Sequence, residues 1–142
     1  MTAIRSLDHA DIPALVALWH DCGLIRPWND PAADARLAID GTTATILGAH
    51  EGDRLIASVM TGFDGHRGWV YYLAVSPLHR RLGLGRSLMQ AAEHWLRDHG
   101  APKIQLMVRG DNLLATGFYT ALGYATQDVV TLGKRLDLEG PP

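Results

Sequence analysis

The segment Arg80-Arg81-Leu82-Gly83-Leu84-Gly85 sets two arginines ahead of two closely spaced glycines, with Arg86 just beyond. Residues of those types in that order bind anions. Glycine permits unusual backbone angles and lets a ligand approach the main chain closely. If a helix begins near Gly85, its first N–H groups have no internal acceptor and lie at the positive end of the helix dipole. The arginines add side-chain charge around that helix start, which makes it a phosphate cradle. Two phosphate loops do not fit it. A dinucleotide fingerprint needs Gly or Ala where this chain has Leu88, and no first strand–helix–strand unit starts the chain. A nucleoside-triphosphate loop ends in Gly-Lys-Ser/Thr, which is absent.

A third pattern matches in full. It reads Arg or Gln, two residues, Gly, one residue, Gly or Ala, after a strand ending Val-x-Pro. Arg80, Gly83 and Gly85 supply it behind Val75 and Pro77. A second motif runs from Asn112 through a helix to Phe118-Tyr119-Thr120-Ala121-Leu122-Gly123-Tyr124. With these two motifs the sequence resembles the GNAT superfamily of acetyl-CoA-dependent N-acetyltransferases, along nearly the whole chain. The stretches Arg26-Pro27-Trp28-Asn29-Asp30-Pro31 and Asp64-Gly65-His66-Arg67-Gly68 resemble, more narrowly, small stand-alone bacterial members of the YpeA-like type.

The resemblance implies a donor, a fold and a set of roles. Acetyl-CoA is the co-substrate, with no metal. The strand before the loop splays from its neighbour, and Leu73 and Val75 pair with the pantetheine arm as an added strand would. Arg80, Arg81, Leu82, Gly83, Leu84, Gly85, Arg86 and Ser87 surround the pyrophosphate. Asn112 contacts the cofactor's arm. Tyr119 faces the sulfur and protonates the departing thiolate, a role within reach of a phenol. The backbone N–H of Leu73 holds the developing oxyanion.

The acceptor half is less determined. Many members of the superfamily carry a glutamate base where this chain has Tyr71, and a neutral phenol is a poor base at pH 7. Asp64 and His66, in the preceding turn, could act through a water; His66 has the better intrinsic pKa for that. The plain alternative is that both only build the turn, since Asp-Gly is a common turn pair. The loop of Arg26, Trp28 and Asp30 is expected over the acceptor side, with Arg26 binding a carboxylate, Trp28 walling the pocket and Asp30 attracting an ammonium. Equally, Trp28 could be a core anchor and Asp30 a helix cap.

These residues need elements to position them. Ala3 to Leu7 reads as a strand. Asp8 then caps a helix with Ile12, Leu15, Val16 and Trp19 on one face, ended by Gly23. Asp30-Pro31 starts a helix that runs to about Asp40. Strands follow over 43–50, 54–63 and 69–75, joined by turns at 51–53 and 64–68. A helix from about Gly85 to His99 carries Leu88, Ala91, Ala92, Trp95 and Leu96 at helical spacing and stops at Gly100. Ile104 to Val108 is a strand, Asn112 to Leu122 a helix, and Val129 to Leu132 a last strand. Gly140-Pro141-Pro142 reads as a frayed end. The expected fold is α/β (α+β mixed): a mixed sheet of about six or seven strands flanked by about four helices, in one domain over 1–142.

Composition sets bounds on partners. The chain has 142 residues, 47% hydrophobic and 20% charged, with a net charge of -2. That is an ordinary globular composition without the basic excess that favours nucleic acid or an anionic membrane surface. The single cysteine, Cys22, can form no internal disulfide and reads as a small buried hydrophobe. The seven histidines show no paired ligand spacing. No signal-like or membrane-length apolar run appears, so a cytoplasmic location is expected. An exposed β-rich tail leaves a homodimer open. The expected function is acetyl transfer to a primary amine of a small molecule or protein. The alternative is a non-catalytic acyl-CoA-binding or sensor protein of the same fold, because fold does not fix function.

Overall fold

The structure is a computed structural model describing residues 2–137. The chain divides into two compact units, residues 1–107 and 108–142. The first holds β1 (Ala3–Ser6), α1 (Ile12–Asp21), α2 (Pro31–Asp40), β2 (Ala44–Glu51), β3 (Arg54–Phe63), β4 (Gly68–Val75), α3 (Leu84–Asp98) and β5 (Ile104–Leu106). The second holds α4 (Leu113–Ala121).

Helix starts follow local capping chemistry. Asp8 Oδ1 accepts from Ala10 N at 2.9 Å and opens a short 3-10 turn that runs into α1. Asp30 Oδ1 accepts from Ala33 N at 3.1 Å ahead of Pro31, which pre-sets the first turn of α2. Gly100, at φ +85°, ends the last turn after α3 where other residues would be strained.

The sheet has five strands in the order β1-β2-β3-β4-β5. The first four pair antiparallel, and β5 pairs parallel to β4 after the crossover through α3. Alternation sorts side chains to two faces. Ile46 and Ala74 join Leu15, Leu18, Trp19, Ala35 and Ala38 in the core under α1 and α2. On the other face α3 lays down a stripe of buried Leu84, Leu88, Met89, Ala92 and Leu96. Full burial of Leu88 and Met89 stabilises by about 1.5–3 kcal/mol each. At the start of β4, a Cβ on Gly68 would lie 2.6 Å from Leu96 Cδ1, so glycine lets α3 pack close. Trp95 is only half-buried; its ring stacks on His99 at 3.7 Å.

Three expectations need correction. The sheet has five strands rather than six or seven: among the described residues, 125–135 form no strand. Val129, Val130 and Leu132 have the composition of a strand, but β-propensity only takes effect against a neighbouring strand. β5 ends at Leu106 rather than Val108. α3 begins at Leu84, which makes Gly83 its N-cap. Gly140 to Pro142 lie outside the described residues.

Candidate active site

Strand β4 is paired on one side and largely bare on the other. Its ladder with β5 stops at Val70 and Leu106. From Tyr71 to Val75, among the described residues, no strand pairs with the edge facing away from β3. Against β3 the register slips, with Met60 opposite Tyr71 but Ser58 opposite Ala74. Tyr72 and Leu73 together therefore oppose Val59, which is a β-bulge. Tyr72 adopts φ +54°, a left-handed conformation that costs a non-glycine residue about 1–3 kcal/mol.

The bulge decides which backbone groups reach the bare edge. Gly68 N donates to Lys103 O at 2.8 Å, toward β5, while Ser76 N donates to Ile56 O at 2.8 Å, toward β3. Peptide groups alternate sides along a strand, so a strand without the bulge would aim Tyr72 and Ala74 outward. The extra residue turns Leu73 and Val75 outward instead. The Val75 carbonyl is engaged, accepting from Cys22 Sγ and from Arg80 Nε, each at 3.3 Å. By that alternation the backbone of Leu73 and the N–H of Val75 face the edge away from β3. Burial pushes the Cys22 thiol above its ordinary pKa, so it stays a neutral donor rather than a nucleophile.

The loop continues from that edge. After a 3-10 turn at Pro77–His79 it passes through Arg81 at φ +65° and Gly83 at φ +80° and enters α3. Gly83 offers no capping side chain. The first bond into the helix is Ser87 N to Gly83 O at 3.0 Å, so the N–H groups of Leu84, Gly85 and Arg86 point out of the helix end. A Cβ on Gly83 would meet nothing within 4 Å, so the glycine serves the backbone angle and an open approach rather than packing. Arg81, Leu82, Arg86 and Ser87 are exposed around this cradle. Leu84 is buried and contributes only its main chain. Bare edge and open helix start together fit a ligand with a polar, strand-like arm and a diphosphate.

On the α1/α2 face beside β4, Asp64 is spent on its turn. Its Oδ1 accepts from His66 N at 2.8 Å and Arg67 N at 2.7 Å, and its Oδ2 from Trp69 Nε1 at 3.2 Å. The backbone N–H bonds hold its carboxyl below the usual range, which weakens it as a base. The exposed His66 follows it in the same turn. Tyr71 is 43% exposed, with its ring 6.4 Å from Trp69. Burial, with Asp64 adding to it, raises its phenol pKa and takes it further from base chemistry.

Farther along, Arg26 Nη1 donates to the Gly23 carbonyl at 2.8 Å and the Ile25 carbonyl at 3.3 Å, closing the chain turn after α1. Trp28 is 37% exposed, so it is no core anchor. Asp30 is the cap of α2. Asp30→Ala should lower stability by about 1 kcal/mol in urea denaturation while leaving turnover within twofold. A larger loss of activity at unchanged stability would show that Asp30 meets the acceptor.

In the second unit, Asn112 caps α4, its Oδ1 accepting from Ala115 N at 3.1 Å. Its amide nitrogen is left as a donor. Tyr119 is half-buried, edge-on to Phe118 at 5.0 Å and to Tyr124 at 5.8 Å. Burial raises its phenol pKa, so it holds its proton through the neutral range. Among the described residues, no group of three or more His, Cys, Asp or Glu is placed to hold a metal, and no helix is long and apolar enough to cross a membrane.

Single-sequence reading missed the bulge and the residues that hold it. The adjacent Tyr71 and Tyr72, which break the alternation of β4, were the one available signal.

The profile of the Acetyltransferase (GNAT) family matches residues 12–124. The chain is 44% identical over 133 residues to an acetyltransferase of Pectobacterium atrosepticum, covering 94% of each. It is 41% identical over 133 residues to an acetyltransferase of Yersinia enterocolitica, again covering 94% of each. Among solved structures, an aminoglycoside N-acetyltransferase in complex with CoA superposes with a TM-score of 0.82 at 15% identity, over 96% of this chain and 95% of that one. That last likeness speaks for the fold alone. The chain belongs to the GNAT family, the acetyl-CoA-dependent N-acetyltransferases.

Proposed function

We propose that the chain moves the acetyl group of acetyl-CoA directly to a primary amine in a ternary complex. The observation that carries this reading is one continuous backbone surface: the bare β4 edge at Leu73 and Val75, leading into the open start of α3. The edge suits the amide-bearing arm of the donor. The N–H groups of Leu84 to Arg86, flanked by Arg81 and Arg86, suit its diphosphate. The family profile spans both units, which supports treating the chain as one functional domain.

The donor supplies an activated thioester carbonyl, and this chain's residues manage charge around it. The amine nitrogen attacks the carbonyl carbon, the C–N bond forms, the C–S bond breaks, and the amine loses a proton. Leu73 N–H steadies the negative charge on the carbonyl oxygen. Tyr119, kept neutral by burial, gives its proton to the leaving sulfur. With Asp64 occupied by its turn, we assign the amine's proton to water, relayed by His66. Asn112 steadies the donor's arm through its amide nitrogen. Arg26 and Trp28 flank the acceptor's approach along the α2 side, and the half-exposed Tyr71 lines the β4 side. The lone thiol of Cys22 suits the reducing cytoplasm.

The test is release of free CoA thiol from acetyl-CoA across a panel of amines and peptides. At least one acceptor should raise release well above background hydrolysis. If none does while CoA still binds, the protein is an acyl-CoA-binding module and the enzymatic reading fails.

A further inference from the structure

The strained bulge in β4 is held from three sides, and none of the residues holding it belongs to the loop or to the proton-transfer roles above. Trp19 of α1 is fully buried and stacks on Tyr72, with ring centroids 4.0 Å apart and planes 11° from parallel. Trp19 Nε1 donates to Ser58 Oγ at 3.3 Å, and Ser58, also fully buried, lies opposite Ala74 just past the bulge. The Tyr72 hydroxyl donates to Asp34 Oδ2 of α2 at 2.9 Å. A left-handed tyrosine persists only where its surroundings over-determine it. Here a stacked ring, a sheet hydroxyl and a helix carboxylate do so together.

We propose that Asp34 and Tyr72, with Trp19 beneath, are positioning residues that lock the β4 bulge and so aim the Leu73 backbone donor at the bare edge. The proposal rests on the acetyl-transfer reading and deepens it, since it names what sets the oxyanion donor in place. If Tyr72 leaves the left-handed region, the bulge slips and the alternation beyond it shifts by one residue. Ala74 would then face outward in place of Leu73 and Val75. The hydrogen bond to Asp34 is what fixes the ring along its long axis, which stacking alone does not do. Burial, and then the neighbouring Asp34 carboxylate, push the Tyr72 phenol up to about 12, so it remains a donor wherever the enzyme would work.

Three variants test this. Tyr72→Phe keeps the stack and removes the tie. Asp34→Ala removes the acceptor. Asp34→Asn keeps an acceptor oxygen and should restore most of what Asp34→Ala loses. The expected result is a roughly 10- to 100-fold fall in kcat for Tyr72→Phe and for Asp34→Ala, as for a misplaced oxyanion donor. KM for acetyl-CoA should rise by less than kcat falls, because the slip also turns Val75 away from the donor's arm while the diphosphate cradle is untouched. The double variant should be no worse than Tyr72→Phe alone, which removes both the tie to Asp34 and the hydroxyl's hydrogen bond with Asn29. A readout without turnover separates this proposal from the reading it rests on: amide hydrogen exchange at Ala74, whose N–H faces β3 while the bulge holds, should speed up at least tenfold in Tyr72→Phe, with exchange in α3 unchanged. Unchanged exchange overturns the proposal even in an active enzyme. Faster exchange in a protein that turns over no acceptor supports the tie and sinks the acetyl-transfer reading instead. If Asp34→Ala raises only KM for the amine, Asp34 is an acceptor contact and the positioning role is wrong.

Discussion

Tyr119→Phe is expected to lower kcat about a hundredfold at pH 7, with KM for acetyl-CoA little changed, a size typical for loss of a positioned general acid. Phenylalanine keeps the ring that meets Phe118 and Tyr124 edge-on, so the change removes the hydroxyl and little packing. A fall in kcat and kcat/KM together marks an interaction made only in the transition state. The pH profile gives a second check. Burial raises the Tyr119 pKa above its ordinary value, which is about 10. The sign follows directly: the acid form is the active form, and it persists to higher pH than a free phenol's. The wild-type rate should rise with pH as the amine loses its proton, with no falling limb below about pH 10. A falling limb near pH 8, or a Phe variant within twofold of wild type, would assign the proton to another group.

Gly83→Asp should weaken acetyl-CoA binding by about 100- to 1000-fold while leaving the fold intact. Asp tolerates the left-handed region better than most residues, and Gly83 sits at φ +80° with open space around its missing Cβ. A carboxylate at a helix start is also favoured by the dipole. Stability should therefore stay within about 1 kcal/mol of wild type. The same carboxylate would face the donor's diphosphate. Two unit charges about 4 Å apart near a protein surface repel by about 4 kcal/mol, which screening reduces to the range given. Gly83→Asn carries the same backbone demand without charge and should cost only a few-fold. Acetyl thioesters of pantetheine, which lack the diphosphate, should not distinguish the two variants. Calorimetric titration with CoA and with the pantetheine compound reads all four arms. Equal losses for Asp and Asn would mean that shape rather than charge governs the loop. No loss for Asp would remove the loop from the donor site.

Much of this molecule was legible residue by residue. Asp30-Pro31 marks a helix start because cap and proline act within one turn. Gly83 and Gly85 mark an open helix start because the orphan N–H groups there are a local matter. The β3–β4 hairpin and the amphipathic α3 likewise follow from period and turn chemistry. The roles of Asp30, Asp64 and Asn112 were less readable, because their oxygen atoms serve a cap or turn equally well, and in the structure each does so. The expected last strand over Val129 to Leu132 failed for a related reason: a strand exists only through its partner, and no pattern within one segment shows whether a partner is there.

What only the tertiary structure decided is which backbone groups of β4 face the edge away from β3. Alternation along Trp69 to Val75, read straight through, would turn Tyr72 and Ala74 toward the bare edge. The bulge at Tyr72 reverses that and presents Leu73 and Val75. Its cause is distributed over Trp19, Asp34 and Ser58, residues that are remote in sequence and unremarkable alone. The left-handed backbone they hold is unfavourable on local grounds, so local propensity points away from it. Only long-range stacking and hydrogen bonding make it the stable state, and those exist only once the helices have packed on the sheet.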